Sequence, residues 1–165
     1  MTDLASPPIA LLLQPSPAQL PAAVAAWVER EPVSLVPATS LDEVMTYALR
    51  SRPRFVLIDG RASVPEALDA SRRLKRDPYT GVIPVLFVAN DGTAATVAAL
   101  DALADDVVSA AMDPVEVTTR LRTAMARSDR DTAVHPSTRL PGAPAIQREI
   151  QARLDTPLAV CYADL

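Results

Sequence analysis

Few side chains in this sequence can do covalent or proton-transfer chemistry. There is one cysteine, Cys161, one histidine, His135, and one lysine, Lys75, the other 15 basic residues being arginine. A single cysteine leaves no intramolecular disulfide and no cysteine-based zinc site. A single histidine leaves no multi-histidine metal site or relay, and His135, flanked by Val134 and Pro136, has no partner nearby in sequence. The four glycines, Gly60, Gly81, Gly92 and Gly142, are isolated. Phosphate cradles of the G-x-G-x-x-G or P-loop type, and nucleotide binding by those routes, are therefore excluded. Among carboxylates, Asp105-Asp106 lack a third acid at a useful spacing and read as loop solvation and capping. Asp59 differs, because it ends the strongly apolar run Phe55-Val-Leu-Ile58.

The elements that must position Asp59 alternate regularly from residue 8 to about 127. Apolar runs at Ile9–Leu13, Val33–Val36, Phe55–Ile58, Val82–Val88 and Asp106–Ser109 read as strands. Segments with helical spacing lie between and after them: Pro17–Glu31, Ser40–Ser51, Pro65–Arg76, Thr93–Ala104 and Pro114–Arg127. Ser40 with Glu43 predicts a capping box, and Pro65 and Pro114 suit a first helical turn. Strict β-α alternation predicts an α/β fold, a five-stranded parallel sheet flanked by helices on both faces. Sites in such folds lie at the carboxyl ends of the strands. Those ends carry Gln14, Asp59, Ala89-Asn90 and Ser109-Ala110.

The chain has 165 residues, 49% hydrophobic, with a formal net charge of −4, enough for one ordinary domain and a short extra segment. The acidic balance argues against a general nucleic-acid binder. No apolar stretch reaches the roughly 18 residues of a membrane span, and Met1–Pro15 lacks a basic leader. A soluble cytoplasmic protein is expected.

Residues 8 to about 127 resemble the receiver domain of bacterial response regulators, a flavodoxin-like fold. The resemblance rests on the five repeats, on Phe55-Val-Leu-Ile-Asp-Gly60, on Ile83-Pro-Val-Leu-Phe-Val88, and on Asp105–Ser109 followed by Asp113-Pro-Val-Glu116. It implies that Asp59 stands at the phosphoacceptor position. The family's Mg²⁺-holding acids after the first strand correspond to Gln14-Pro15-Ser16, its switch hydroxyl to Ala89, and its Lys-Pro pair to Ala110-Ala111. A hard cation wants carboxylate oxygens, and a new dianion on Asp59 needs metal and ammonium to neutralise it. The residues therefore predict weak or absent Mg²⁺ binding, no metal site, and impaired or absent phosphorylation. In this reading Asp59 is a carboxylate without a counter-cation that accepts hydrogen bonds from N–H groups of the following loop. A working phosphoacceptor at Asp59 and a flavodoxin-like small-ligand binder are the competing readings. The second offers no nucleophile–base pair at the strand ends, so no enzymatic activity is expected.

Residues 128–136 have a linker composition. Residues 137–165 predict a helix over Pro144–Leu154 and a strand over Leu158–Tyr162. Ser137-Thr-Arg-Leu-Pro-Gly142 and Leu158-Ala-Val-Cys-Tyr-Ala-Asp164 resemble the start of a GGDEF (diguanylate cyclase) domain. The resemblance implies that Asp164 matches that family's first metal-binding aspartate. A truncated GGDEF start, unable to cyclise GTP by itself, or a tail packed on the first domain is expected.

The fourth helix, Thr93–Ala104, carries one charge and is rich in alanine. With Val107, at a position where the receiver family has an aromatic, it predicts a weakly apolar face. That face, formed by the fourth helix, fifth strand and fifth helix, is by the resemblance where a signalling partner or a second copy binds. Alanine's helix propensity alone would also explain the composition. Arg50, Arg52 and Arg54, and Arg72, Arg73, Lys75 and Arg76, read as charges complementing helix ends or as an anion site. Trp27 and Phe87 are expected in the core.

Overall fold

The computed structural model describes residues 8–14, 18–51, 53–132 and 142–153. Five parallel strands, β1 (Ile9–Leu13), β2 (Ser34–Ala38), β3 (Val56–Asp59), β4 (Val85–Ala89) and β5 (Asp106–Ser109), pair in the order β2-β1-β3-β4-β5. Five helices follow them in alternation: α1 (Ala22–Arg30), α2 (Leu41–Ser51), α3 (Val64–Arg76), α4 (Thr93–Asp101) and α5 (Pro114–Thr132). A last helix, α6 (Ala143–Ala152), belongs to a separate compact unit of residues 129–165. This is the flavodoxin-like receiver fold expected from the sequence.

The central strands β3 and β4 are buried on both faces, which is why their sequences are continuously apolar. Successive residues alternate between two cores. Leu11, Leu13, Val56, Ile58, Val85, Phe87 and Val107 pack with α2, α3 and α4 residues such as Val44, Ala48, Leu74 and Ala99. On the opposite face Ala10, Leu12, Phe55, Leu57, Leu86 and Val108 pack with Val24, Trp27 and Val28 of α1 and Val117, Leu121 and Met125 of α5. Trp27 meets Phe55 with ring centroids 5.3 Å apart. Trp27 and Phe87 are core residues, as expected.

Several element ends differ from the expected ones, and prolines explain three of them. Helix α1 begins at Ala22, not near Pro17, because Pro21 occupies the N-cap in an extended conformation and its carbonyl accepts from the N–H groups of Val24 and Ala25. Strand β2 continues through Pro37 to Ala38, which an outer strand tolerates. Strand β4 starts at Val85 and not Val82, since Asp77–Ile83 form a turn and Pro84 has no N–H to donate. Helix α4 ends at Asp101. Leu103 then takes φ 68, with its N–H bonded to Leu100 O and that of Ala104 bonded to Ala99 O. That is a Schellman stop with leucine where glycine is usual. Helix α5 runs past the expected Arg127 to Thr132, so the first residues of the expected linker 128–136 are helical.

Ser40 caps α2 as expected, its Oγ accepting from Glu43 N at 3.3 Å. Glu43 in turn accepts from Thr39 N at 2.7 Å, one residue earlier than a standard capping box. In the second unit α6 has Pro144 in its first turn, close to the predicted start. The predicted strand 158–162 and the GGDEF-like segments Ser137–Pro141 and Leu158–Asp164 lie outside the described residues.

Candidate functional site

Strand β3 is the middle strand of the sheet, so Asp59 at its carboxyl end sits at the centre of the loop-bearing edge. Gln14 follows β1 on one side, and Ala89 ends β4 on the other. The structure thus brings Gln14, Asp59 and Ala89 to one edge. Ala110, just after β5, lies farther along it and is exposed. Ala89 is buried and has no hydroxyl. Pro15 lies outside the described residues.

Asp59 is 2% exposed yet fully hydrogen-bonded. Its Oδ1 accepts from the backbone N–H of Arg61 at 3.2 Å and from Arg61 Nε at 2.9 Å. Its Oδ2 accepts from Arg61 Nη2 at 2.8 Å and from Gln14 Nε2 at 3.0 Å. The guanidinium therefore forks onto both carboxylate oxygens, a charge-assisted pairing stronger and more directional than an ordinary hydrogen bond. Two further bonds aim the donors. Arg61 Nη2 also reaches Gln19 O at 2.7 Å, and Gln14 Nε2 reaches Ala18 O at 2.6 Å. Behind the pair, Gly60 is packed so tightly that a Cβ there would stand 2.3 Å from the Phe87 ring.

The expected bond from the following loop's N–H exists, through Arg61 N. The expected lack of a counter-cation is overturned, because Arg61 supplies one. The Asp59-Gly60-Arg61 spacing was visible in the sequence. Its meaning was not, since a side chain two residues on folds back only if the loop turns.

Burial is the largest influence on Asp59 and disfavours its charge. The hydrogen bonds from Arg61 and Gln14, with the Arg61 charge, outweigh burial and hold the carboxyl below its usual range. The same contact pushes Arg61 further up, chiefly through its hydrogen bond to Asp59. Asp59 is thus an anion whose lone pairs are engaged.

These residues do not fit Mg²⁺. A hard cation needs free oxygen lone pairs, whereas Asp59 is covered by a guanidinium and Gln14 directs an N–H donor, not an acid, at the same place. Among the described residues no cluster of three or more His, Cys, Asp or Glu side chains is placed to hold a metal.

The other charged candidates lie elsewhere. Lys75 Nζ reaches Asp105 at 3.0 and 3.2 Å, before β5 and hence at the opposite edge of the sheet. Asp105 Oδ2 also accepts from Val85 N at 2.7 Å. Asp106 pairs with Arg120 at 3.3 Å. The two acids are thus ion-paired and not merely solvating a loop. Val107 is buried and adds nothing to the surface. The exposed apolar residues near it are Val97 and Leu100 of α4, Leu103 beyond it, and Val115 of α5. No helix among the described residues is long and apolar enough to cross a membrane.

Solved structures share this fold. A putative response regulator from Chloroflexus aurantiacus J-10-fl superposes with a TM-score of 0.60 at 18% identity, over 74% of this chain and 100% of that one. The signal receiver domain of a signal transduction histidine kinase from Syntrophus aciditrophicus does so with a TM-score of 0.60 at 18% identity, over 79% and 98%. NtrX from Brucella abortus, solved in complex with ATP, gives 0.59 at 16% identity, over 89% of this chain and 34% of that one. No curated protein matches the sequence. A family model, "Transcription regulator GlnR, N-terminal domain", matches residues 30–125, more than half of the sequence. The chain belongs to this family, and its first unit is a receiver-type signalling domain.

Proposed function

We propose that this receiver-type module acts by protein contact, with its acidic site closed by its own arginine and Asp59 phosphorylated poorly or not at all. The observation that carries this reading is the Arg61 fork on both oxygens of Asp59, at 2.8 and 2.9 Å. An oxygen engaged by a guanidinium and an amide is a weak nucleophile, and its low proton affinity weakens it further. The departures at Gln14, Ala89 and Ala110 point the same way. The module is non-enzymatic in this reading and works in the cytoplasm. Incubation with acetyl phosphate and Mg²⁺, followed by Phos-tag electrophoresis and mass spectrometry, is expected to leave Asp59 unmodified. Stoichiometric phosphorylation of Asp59 would favour the working-phosphoacceptor reading instead.

The partner face proposed is that of α4, β5 and α5, where Val97, Leu100, Leu103 and Val115 are exposed. A second copy or a signalling protein is its proposed occupant, with no direct role in nucleic-acid binding. A Leu100→Glu variant that leaves the sedimentation coefficient and partner binding unchanged would remove this face from consideration. What the module controls has two readings. Membership of a transcription-regulator family favours a transcriptional output, whereas the 137–165 resemblance favours a GGDEF-type output. A reporter assay for transcriptional output and an assay for cyclic-di-GMP formation with the intact native protein discriminate the two.

A further inference from the structure

The closure over Asp59 continues beyond its own loop. The backbone carbonyl of Arg61 accepts from Asn90 Nδ2 at 3.2 Å, and Asn90 is the first residue after β4. The next residue, Asp91, accepts through Oδ1 from the backbone N–H of Ala111 at 3.0 Å, in the loop between β5 and α5. Two consecutive side chains thus reach in opposite directions, one back to the β3 loop and one forward to the β5 loop. Gly92 follows with φ 115, a backbone state that favours glycine, and starts α4 immediately afterwards. Ala89 and Ala110 offer no side-chain hydrogen bond at the same edge, so among the described residues the side-chain hydrogen bonds from the β4 loop to its two neighbours are those of Asn90 and Asp91.

We infer that Asn90 is a positioning residue for the Arg61 closure and that Asn90 with Asp91 couples this closure to the β5–α5 loop. The inference rests on the reading that Arg61 closes the site, but not on the phosphorylation state of Asp59. Holding the Arg61 carbonyl fixes the backbone from which the guanidinium springs, so releasing it loosens the fork. The same release frees the chain that presents Asp91 to Ala111. Such coupling is reciprocal: whatever disturbs the fork must loosen the Ala111 contact through Asn90.

The test uses the full chain and two NMR readings, the titration midpoint of the Asp59 carboxyl and the exchange rate of the Ala111 amide. Asn90→Ala is expected to raise the Asp59 midpoint and to speed Ala111 exchange about threefold or more, the scale of one lost hydrogen bond. Asn90→Asp, which keeps the size and removes the donor, is expected to do the same. Asn90 is exposed, so these variants keep the core intact. Arg61→Ala is expected to speed Ala111 exchange in the native background and to add nothing once Asn90 is alanine. Movement of only one reading, movement of neither, or simple addition of the Arg61 and Asn90 effects would overturn the inference. Stoichiometric phosphorylation would instead sink the proposed function and leave these readings unaffected.

Discussion

Gly60 lies against the ring of Phe87, one residue after the carboxylate of Asp59 and one before the guanidinium that covers it. A methyl group at position 60 would fall 2.3 Å from both Cε1 and Cζ of that ring. Phe87 is buried in the core with residues of α3 and α4. Position 60, between the carboxylate and its covering arginine, thus has room only for a residue without a Cβ.

Gly60→Ala is therefore expected to destabilise the fold by about 1–3 kcal/mol through overpacking. Adding Phe87→Leu should recover part of that loss. Urea denaturation of the two variants checks both statements, and a single variant as stable as the parent would contradict them.

Arg61→Ala and Asp59→Asn remove the same pair but should differ in cost. The first leaves an unpaired carboxylate that is 2% exposed, at a cost of about 3 kcal/mol. The second leaves a guanidinium with a long stem that can swing to water, and costs less. Equal losses for the two variants in urea denaturation would argue against the asymmetry.

The same pair sets a pH dependence. Asp59 has a depressed native value, so its stabilisation is complete above the unfolded value of about 3.9 and disappears as pH falls through the lower native one. In Arg61→Ala burial is opposed only by the Gln14 bond and the backbone N–H of residue 61, and the native value is expected to rise. The stability difference between parent and variant should then be large at pH 7 and shrink on acidification below about pH 4. A difference that stays constant over that range would contradict this.

At the far edge of the sheet, Asp105→Ala is expected to cost about 1–3 kcal/mol, because Val85 N–H is buried and loses its acceptor. Lys75→Ala should cost less, since Asp105 is partly exposed and keeps its bond to Val85. Neither should move the Asp59 titration.

Leu103→Gly is expected to stabilise the fold by about 1 kcal/mol, as glycine takes a φ of 68 without the penalty leucine bears. Thermal denaturation reads this directly. If association through the α4 face uses the exposed Leu103 side chain, sedimentation of the same variant will show weaker association.

Most of the fold could be read from the sequence because β3 and β4 are buried on both faces and so carry unbroken apolar runs. Ser40 and Glu43 announced the start of α2 for the same local reason. The misplaced ends are where tertiary pairing overrode local pattern: Val82 is apolar yet exposed in a turn, and Pro37 stays within a strand because that strand is outermost. Asp59 could be located from the end of its apolar run. Arg61 could not be assigned, because its orientation depends on the carbonyl of Gln19, 42 residues away in sequence. Asn90 is a similar case, meeting a carbonyl 29 residues distant that only the strand order brings close.

The outermost strand, β2, carries Pro37 in its ladder with β1. Since proline has no amide hydrogen, the rim on that side offers an interrupted row of donors to any incoming polypeptide. A neighbouring molecule cannot lengthen the sheet there with an unbroken set of bonds. That interruption guards the β2 edge against extension by another molecule's strand, whatever the helical faces bind.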